Sequence, residues 1–191
     1  MNKIVAIACS TGGPKALQSI IPSLNSRLNC PVVIVQHMIG GFTKTLSERL
    51  NLLTDIPVTE AFDGEIIEDN HIYIAKAGYH LKIKPYRGGH KIVLEDGELR
   101  EGVKPCANYM YESLAECKYD EIICVVLTGM GSDGTEGIMY LKEKKNIRVI
   151  VQDKDTSVVF GMPGSVLKTD IVCTVSKIED IGKEILKQLE G

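Results

Sequence analysis

The sequence predicts one α/β domain, in which a parallel sheet is covered by helices and carries an attached antiparallel hairpin region. Continuous apolar runs bounded by turn residues are typical of strands that are buried on both faces. Each run is followed by a polar or glycine-rich turn and then by apolar residues at helical spacing, which is the alternation of a helix-covered parallel sheet. The 191-residue chain is long enough for one sizeable core, and it contains no internal repeat, low-complexity tract or linker.

Four apolar runs predict the strands of the parallel sheet: Ile4–Ala8, Val32–Val35, Ile122–Leu127 and Val149–Val151. Helical spacing follows the first three runs, at Leu17, Ile20, Ile21 and Leu24, at Phe42, Leu46 and Leu50, and at Ile138 and Leu141. The last of these helices is expected from about Gly134 to Lys145. A capping-box pattern, Ser176 followed by Glu179, predicts a further helix from Ile178 to Leu189.

The stretch from about Val58 to Leu94 breaks this alternation. Short strand-like runs and a tight turn at Arg87–His90 replace the helices there, and they predict an antiparallel hairpin region attached to the parallel core. The runs are Ile72–Ile74, Leu81–Lys84 and Lys91–Glu95.

The composition excludes several classes of protein. The formal net charge is −3, whereas a protein that binds nucleic acid over a wide surface is normally basic. None of the six cysteines forms a C-x-x-C pair or stands with histidines at zinc-finger spacing, and the first apolar run is too short for a signal sequence or a membrane span. We therefore expect a cytoplasmic protein with reduced thiols, no membrane insertion and no nucleic-acid partner.

The turn after the first strand, Cys9–Pro14, contains a candidate nucleophile. Its two glycines permit a sharp turn and Pro14 suits the first position of a helix, so the Ser10 hydroxyl lies beside helix N–H groups that can hold a developing negative charge. Two alternatives stay open. Ser10 or Thr11 can simply cap the helix, or the glycines can hold a phosphate or dinucleotide, although G-x-G-x-x-G and the Walker lysine are both absent.

The second predicted strand ends at Gln36-His37-Met38, and His37 is a candidate base. A histidine at a strand end is more often structural than catalytic. If the first two strands are neighbours in a βαβ unit, however, His37 and Ser10 project from adjacent strand ends. His80, at the start of a hairpin strand, is a lesser candidate for the edge of the same cleft.

A third junction of strand, glycine-rich turn and helix, Leu127–Gly134, contains Asp133. Asp133 can cap the helix that follows it, but a carboxylate in such a turn can also orient a histidine and stabilise its protonated form. Backbone N–H groups around Met130 and Gly131, together with Thr11, can supply an oxyanion hole.

The coincidence of these three signals at strand ends decides the interpretation, since each is weak alone. Together they predict acyl-transfer chemistry with Ser10 as nucleophile, His37 as base and Asp133 as the orienting carboxylate. The chain order Ser, His, Asp differs from that of chymotrypsin, subtilisin and the α/β-hydrolases, but a triad is defined by its geometry. No metal or organic cofactor is expected.

Short ordered segments along nearly the whole chain also resemble a known family. The most specific are Leu127–Gly134, Gln152-Asp153 and Val158–Pro163. The others are Ser10–Pro14, Val35–Met38, Gly41–Thr43, Glu48–Leu50, Glu60-Ala61, Asp63–Glu65, Tyr73–Ala75 and His80-Leu81. They resemble the catalytic domain of the chemotaxis response-regulator protein-glutamate methylesterases. The resemblance implies a doubly wound sheet with the hairpin near the active site, and it places the family's catalytic residues on Ser10, His37 and Asp133.

The resemblance further implies removal of methyl groups from glutamate esters on the cytoplasmic helices of chemoreceptors, and in many members deamidation of receptor glutamines. Residues 1–191 are expected to be the catalytic domain without the receiver domain that usually precedes it. Either the domain stands alone or its receiver domain lies on another chain, so control by phosphorylation stays open, and a separate receiver domain or a kinase complex is the candidate controlling partner. Val103–Asn108 departs from the arginine-proline and Ser-Val-Asp pattern of the family, which can change the choice of receptor.

Three other functions fit the same sequence. One is an adaptor of the same fold that binds receptor helices without catalysis, and another is an esterase or amidase for a small metabolite. A nucleotide-binding module is the third. Release of methanol from methylated receptors would separate the predicted enzyme from all three.

Overall fold

The computed structural model describes residues 2–24 and 28–190. Its strands are β1 (Lys3–Cys9), β2 (Val32–Gln36), β3 (Val58–Glu60), β4 (Ile72–Ile74), β5 (His80–Tyr86), β6 (Gly89–Glu95), β7 (Glu121–Val126), β8 (Ile147–Gln152) and β9 (Cys173–Ser176). Its α-helices are α1 (Gly13–Ile20), α2 (Phe42–Asn51), α3 (Ala107–Ser113), α4 (Thr135–Lys142), α5 (Gly161–Leu167) and α6 (Ile178–Glu190). Among the described residues, no helix is both long enough and apolar enough to cross a membrane.

Seven of the described strands form one sheet in the order β3-β4-β2-β1-β7-β8-β9. All neighbouring pairs in this sheet are parallel. The chain starts in the middle strand, winds out to one edge and then returns to wind out to the other, so the predicted doubly wound fold is confirmed. The direction reverses between β1 and β7, which is where such sheets open a crevice at the carboxyl ends of their strands.

Side chains on the two faces of β1 enter two separate hydrophobic cores, because successive residues of a strand point to opposite faces. Ile4, Ala6 and Ala8 pack with α3, α4, α5 and the hairpin. Val5, Ile7 and Cys9 pack with α1, α2 and α6. A strand that is buried on both faces needs apolar residues at every position, which explains the uninterrupted apolar runs of the sequence.

Strands β5 and β6 form the antiparallel hairpin, and it packs against α3. The prediction was wrong for Ile72–Ile74, which was assigned to the hairpin region. These residues form β4, which runs parallel between β3 and β2 in the main sheet. The connection from β3 to β4, residues 61–71, contains no helix, so the alternation that identifies the other parallel strands is missing here.

A buried ion pair joins the beginnings of β1 and β7. Lys3 Nζ lies 2.9 Å from Glu121 Oε2, and the two side chains are 8% and 3% exposed. Arg148 Nε donates to the other carboxylate oxygen at 2.8 Å. Burial raises the pKa of Glu121, but the adjacent Lys3 and Arg148 cations outweigh burial, so this pKa lies below its ordinary value.

We expect Glu121→Gln to lower the free energy of unfolding by about 3 kcal/mol, because it leaves the buried Lys3 ammonium without its counter-ion. Urea denaturation near neutral pH measures the effect. In the wild type the contribution of Glu121 is complete above the ordinary pKa of 4.5 and is lost as the pH falls through the lower folded-state pKa. Glu95→Gln is the control, because the Lys82–Glu95 pair is half-exposed and is worth less than about 1 kcal/mol. Equal losses in the two variants would contradict the prediction.

Candidate active site

The turns after β1, β2 and β7 meet at the carboxyl edge of the sheet. Cys9 and Gln36 are the last register partners of β1 and β2, so Ser10 and His37 follow on adjacent strands. The backbone N–H of His37 donates to Cys9 O at 3.0 Å, and that of Ser10 donates to Thr128 O in the turn after β7, also at 3.0 Å. Backbone hydrogen bonds thus continue beyond the strands and hold the predicted serine and histidine side by side.

His37 and Asp133 are joined by a hydrogen bond of 2.7 Å between Nε2 and Oδ2. Their side chains are 10% and 3% exposed. Because an ionised carboxylate only accepts hydrogen bonds, Nε2 carries the ring proton and Nδ1 is the basic nitrogen. Within residues 2–24 and 28–190, Nδ1 has no hydrogen-bond partner, which leaves it available to take a proton.

The Asp133 carboxylate accepts four hydrogen bonds, which fill its acceptor sites. Oδ2 accepts from His37 and, at 2.6 Å, from the backbone N–H of Ala107, while Oδ1 accepts from the Asn108 N–H at 2.9 Å and from Cys106 Sγ at 3.0 Å. Burial raises the pKa of Asp133, but these hydrogen bonds outweigh burial and hold the pKa below its ordinary value. The carboxylate is therefore charged and fixed in orientation.

The alternative that Ser10 and Asp133 merely cap the helices following them does not match the structure. Helices α1 and α4 begin after Gly12 and Gly134, both in the left-handed region, and neither of these N-cap glycines has a side chain that could cap its helix. Asp133 instead accepts from the first N–H groups of α3, a helix from another part of the chain. Capping of its own helix thus does not explain Asp133.

Within the described part of the chain, the Ser10 hydroxyl makes no hydrogen bond to any residue, and this includes His37. Ser10 is half-buried beside the turn after β7. A Cβ added at Gly129 would lie 2.8 Å from Ser10 Cβ, so only glycine fits where this turn passes the serine. Hydrogen bonds of a catalytic serine are often loose without substrate, and the role of Ser10 as nucleophile stays a prediction.

The predicted oxyanion residues Thr11, Met130 and Gly131 are all exposed, in the two turns that flank Ser10. Among the described residues, none of their backbone N–H groups has an acceptor. Gly131 has a φ of 87°, a conformation that glycine adopts at no steric cost. Unpaired N–H groups beside a nucleophile are what a developing oxyanion requires, and this role too stays a prediction.

A family model described as CheB methylesterase matches residues 5–185, nearly the whole chain. The chain belongs to the CheB methylesterase family. The crystal structure of the Thermotoga maritima CheB methylesterase catalytic domain superimposes with a TM-score of 0.91 at 38% identity, covering 98% of this chain and 99% of that one. The resemblance predicted from sequence is therefore confirmed, together with the fold that it implies.

Curated relatives carry the name protein-glutamate methylesterase/protein-glutamine glutaminase. The relative from Syntrophomonas wolfei is 40% identical over 99% of this chain and 54% of its own length. The relative from Bacillus subtilis is 40% identical over 96% of this chain and 52% of its own length. The chain thus spans about half the length of these relatives in the CheB methylesterase family.

Two buried glutamines, to which the sequence interpretation gave no role, connect the turns of the site. Gln36 Nε2 donates to the backbone oxygens of Ser10 and His37, at 3.0 and 2.9 Å. Gln152 Oε1 accepts from the Thr128 N–H at 2.8 Å, and Thr128 Oγ1 donates to Thr11 O at 2.9 Å. The sequence did contain a signal for this role, since each glutamine is a polar residue at the last position of an apolar strand. A side chain at that position lies beneath the turn that follows and can bond to its backbone.

A cleft of about 340 Å³ opens beside His37. Met38 and Ile39 line one side, and Leu99 and Val103 lie on the other. The segment Val103–Asn108, whose sequence departs from the family pattern, was interpreted as a determinant of receptor choice. The structure shows that it borders this cleft at one end and donates hydrogen bonds to Asp133 at the other.

Proposed function

We propose that this member of the CheB methylesterase family hydrolyses methyl esters of glutamate side chains on the cytoplasmic helices of chemoreceptors. The observation that carries the proposal is the 2.7 Å hydrogen bond from His37 to a fixed, ionised Asp133, one strand away from Ser10. Two features add support: the family, and the names of relatives about 40% identical. Those names also support deamidation of receptor glutamines as a second reaction of the same site.

In the proposed reaction, Ser10 Oγ attacks the ester carbonyl while His37 Nδ1 takes the hydroxyl proton. The imidazolium is stabilised by Asp133 through Nε2–H. The tetrahedral intermediate then collapses, the bond to the methoxy oxygen breaks, and the proton on Nδ1 passes to that oxygen, so methanol leaves and an acyl-Ser10 remains. Water attacks the acyl group with His37 again as base, which frees the glutamate and restores the serine. For a glutamine substrate, ammonia leaves in place of methanol.

Backbone N–H groups of Thr11, Met130 and Gly131 would stabilise the oxyanion of the tetrahedral intermediate. Each of these groups lacks an acceptor among the described residues, so a substrate oxygen displaces no protein partner. One such donor is typically worth about 10²–10³ in rate.

The surroundings of the cleft favour a protein substrate over a small metabolite. Exposed apolar side chains line it: Ile39 is 79% exposed and Leu99 61%. Such a border suits the apolar face of an amphipathic helix that presents an esterified glutamate at its edge. A receiver domain, or the receptor–kinase complex, is the partner we propose for control of this activity.

The test is methanol release from receptor-containing membranes that have been methylated in vitro. We expect the wild type to release methanol and Ser10→Ala to release none. Binding of receptor without methanol release would favour the adaptor alternative. Hydrolysis of small free esters with no reaction on receptors would favour a metabolite esterase, and either result would overturn the proposal.

A further inference from the structure

Cys106 lies directly behind the proposed catalytic carboxylate. It is fully buried and precedes the first residue of α3. Its Sγ is 3.0 Å from Asp133 Oδ1, the oxygen that faces away from His37. Of the four donors to Asp133, two are backbone N–H groups, which any substitution except one by proline leaves in place. Among the described residues, the thiol is therefore the one side chain, besides His37, that donates to this carboxylate.

The proton of this contact belongs to the sulfur. Asp133 is ionised and can only accept. Burial and the neighbouring Asp133 charge raise the pKa of Cys106 to about 12, so the side chain is a neutral thiol that donates. A neutral donor to a charged acceptor stabilises the charge without adding a second ion to the site.

A buried histidine holds Cys106 in place. The Cys106 N–H donates to His80 Nδ1 at 3.2 Å, and His80 Nε2 donates to Glu98 O at 2.8 Å. These two contacts fix one tautomer of His80, since Nδ1 accepts and Nε2 donates. The Tyr109 ring packs edge-on against His80 at 4.7 Å. His80, predicted as a residue of the cleft edge, is 1% exposed and instead lies behind Asp133 as a support.

We propose that Cys106 is a positioning residue, whose thiol proton holds Asp133 Oδ1 so that Oδ2 faces His37 and sets the strength of the His37–Asp133 hydrogen bond. It does not touch substrate. The expected effect of Cys106 on the reaction rate rests on the proposed ester hydrolysis. Its expected effect on the His37–Asp133 hydrogen bond is independent of the reaction that the protein catalyses. Removal of the donor would leave more negative charge on Asp133, which strengthens the bond to His37 Nε2–H and leaves the carboxylate less well oriented.

The test compares Cys106→Ala and Cys106→Ser with the wild type in the full chain. Proton NMR of protein with isotope-labelled histidine reports the His37 Nε2–H resonance, which moves downfield as its hydrogen bond strengthens. We expect Cys106→Ala to shift this resonance downfield. Cys106→Ser should shift it upfield, because a hydroxyl is a better donor than a thiol. Cys117→Ala is the matched control: Cys117 is another buried thiol near α3, but it donates to the carbonyl oxygens of Ile83 and Ser113, and its loss should leave the resonance unmoved.

Kinetics supply the second readout. We expect Cys106→Ala to lower kcat roughly tenfold, the size of one hydrogen bond to a charged group, with little change in KM. Cys106→Ser should retain kcat within about threefold, since it keeps a donor. If Cys106→Ala does not fold, the expected upfield shift of the His37 resonance in Cys106→Ser tests the inference by itself. An unmoved His37 resonance in the Cys106 variants overturns the inference, whereas a moved resonance in a protein without esterase activity overturns only the proposed function.

Discussion

Ser10→Ala is expected to reduce ester hydrolysis by a factor on the order of 10⁶, the loss seen when a serine hydrolase loses its nucleophile. The hydroxyl forms no structural hydrogen bond among the described residues, and both turns that hold Ser10 do so through its backbone. The free energy of unfolding should therefore change by less than about 0.5 kcal/mol. Methanol release measures the activity, and urea denaturation measures the stability.

Ser19→Ala is the matched control for this variant. Ser19 is exposed on α1 and donates to Lys15 O within its own helix, so its loss should leave activity unchanged. Full activity in Ser10→Ala would contradict the assignment and direct attention to Cys9. That thiol is a poor alternative, because it is fully buried, donates to Gln36 Oε1 at 3.0 Å, and has its pKa raised far above the ordinary value by burial.

Asp133→Asn is expected to lower kcat by about 10⁴-fold. All four groups around the carboxylate are donors, whereas an asparagine amide has one accepting oxygen and one donating nitrogen. With the nitrogen toward His37, the ring must present an unprotonated Nε2, which moves the proton to Nδ1 and removes the base. With the nitrogen toward Cys106, the N–H of Asn108 loses its acceptor.

Because both orientations leave a buried backbone N–H facing another donor, Asp133→Asn should also lower the free energy of unfolding by about 1–3 kcal/mol. Kinetics with methylated receptor measure the first effect, and denaturation measures the second. Asp170→Asn serves as the control, since Asp170 is exposed and pairs with Lys142. An Asp133→Asn variant with wild-type kcat would show that the carboxylate does not orient His37 during the reaction.

The central part of the fold could be predicted because burial of a strand on both faces leaves a pattern in a short stretch of sequence. Strands β1, β2 and β7 are buried on both faces, so their apolar runs are uninterrupted, and the turns after them place Ser10, His37 and Asp133 at one edge of the sheet. Strand β4 was misassigned because no helix follows β3. A short strand without its helix gives no periodic signal that separates a parallel from an antiparallel neighbour.

The surroundings of Asp133 could not be predicted, because they depend on contacts distant in sequence. Helix α3 has only seven residues, too few to show a reliable helical period. Its N–H groups and Cys106 reach Asp133 from about 26 positions away. An aspartate before a glycine at a helix start is typical of a cap for that same helix. Only the tertiary structure shows that its carboxylate accepts hydrogen bonds from the N-terminus of another helix.

Helices α3 and α4 exchange caps. Asp133, which precedes α4, accepts from the N–H groups of Ala107 and Asn108 in α3. In return, Asn108 Oδ1 accepts from the N–H groups of Gly134, the residue before α4, and Gly137 within α4. Asp133 thus stabilises the contact between these two helices in addition to its proposed role of orienting His37. Ser10→Ala is consequently the suitable variant for trapping a complex with unreacted receptor, because it should remove activity without affecting the fold. A substitution of Asp133 is expected to lower both the activity and the stability of the protein.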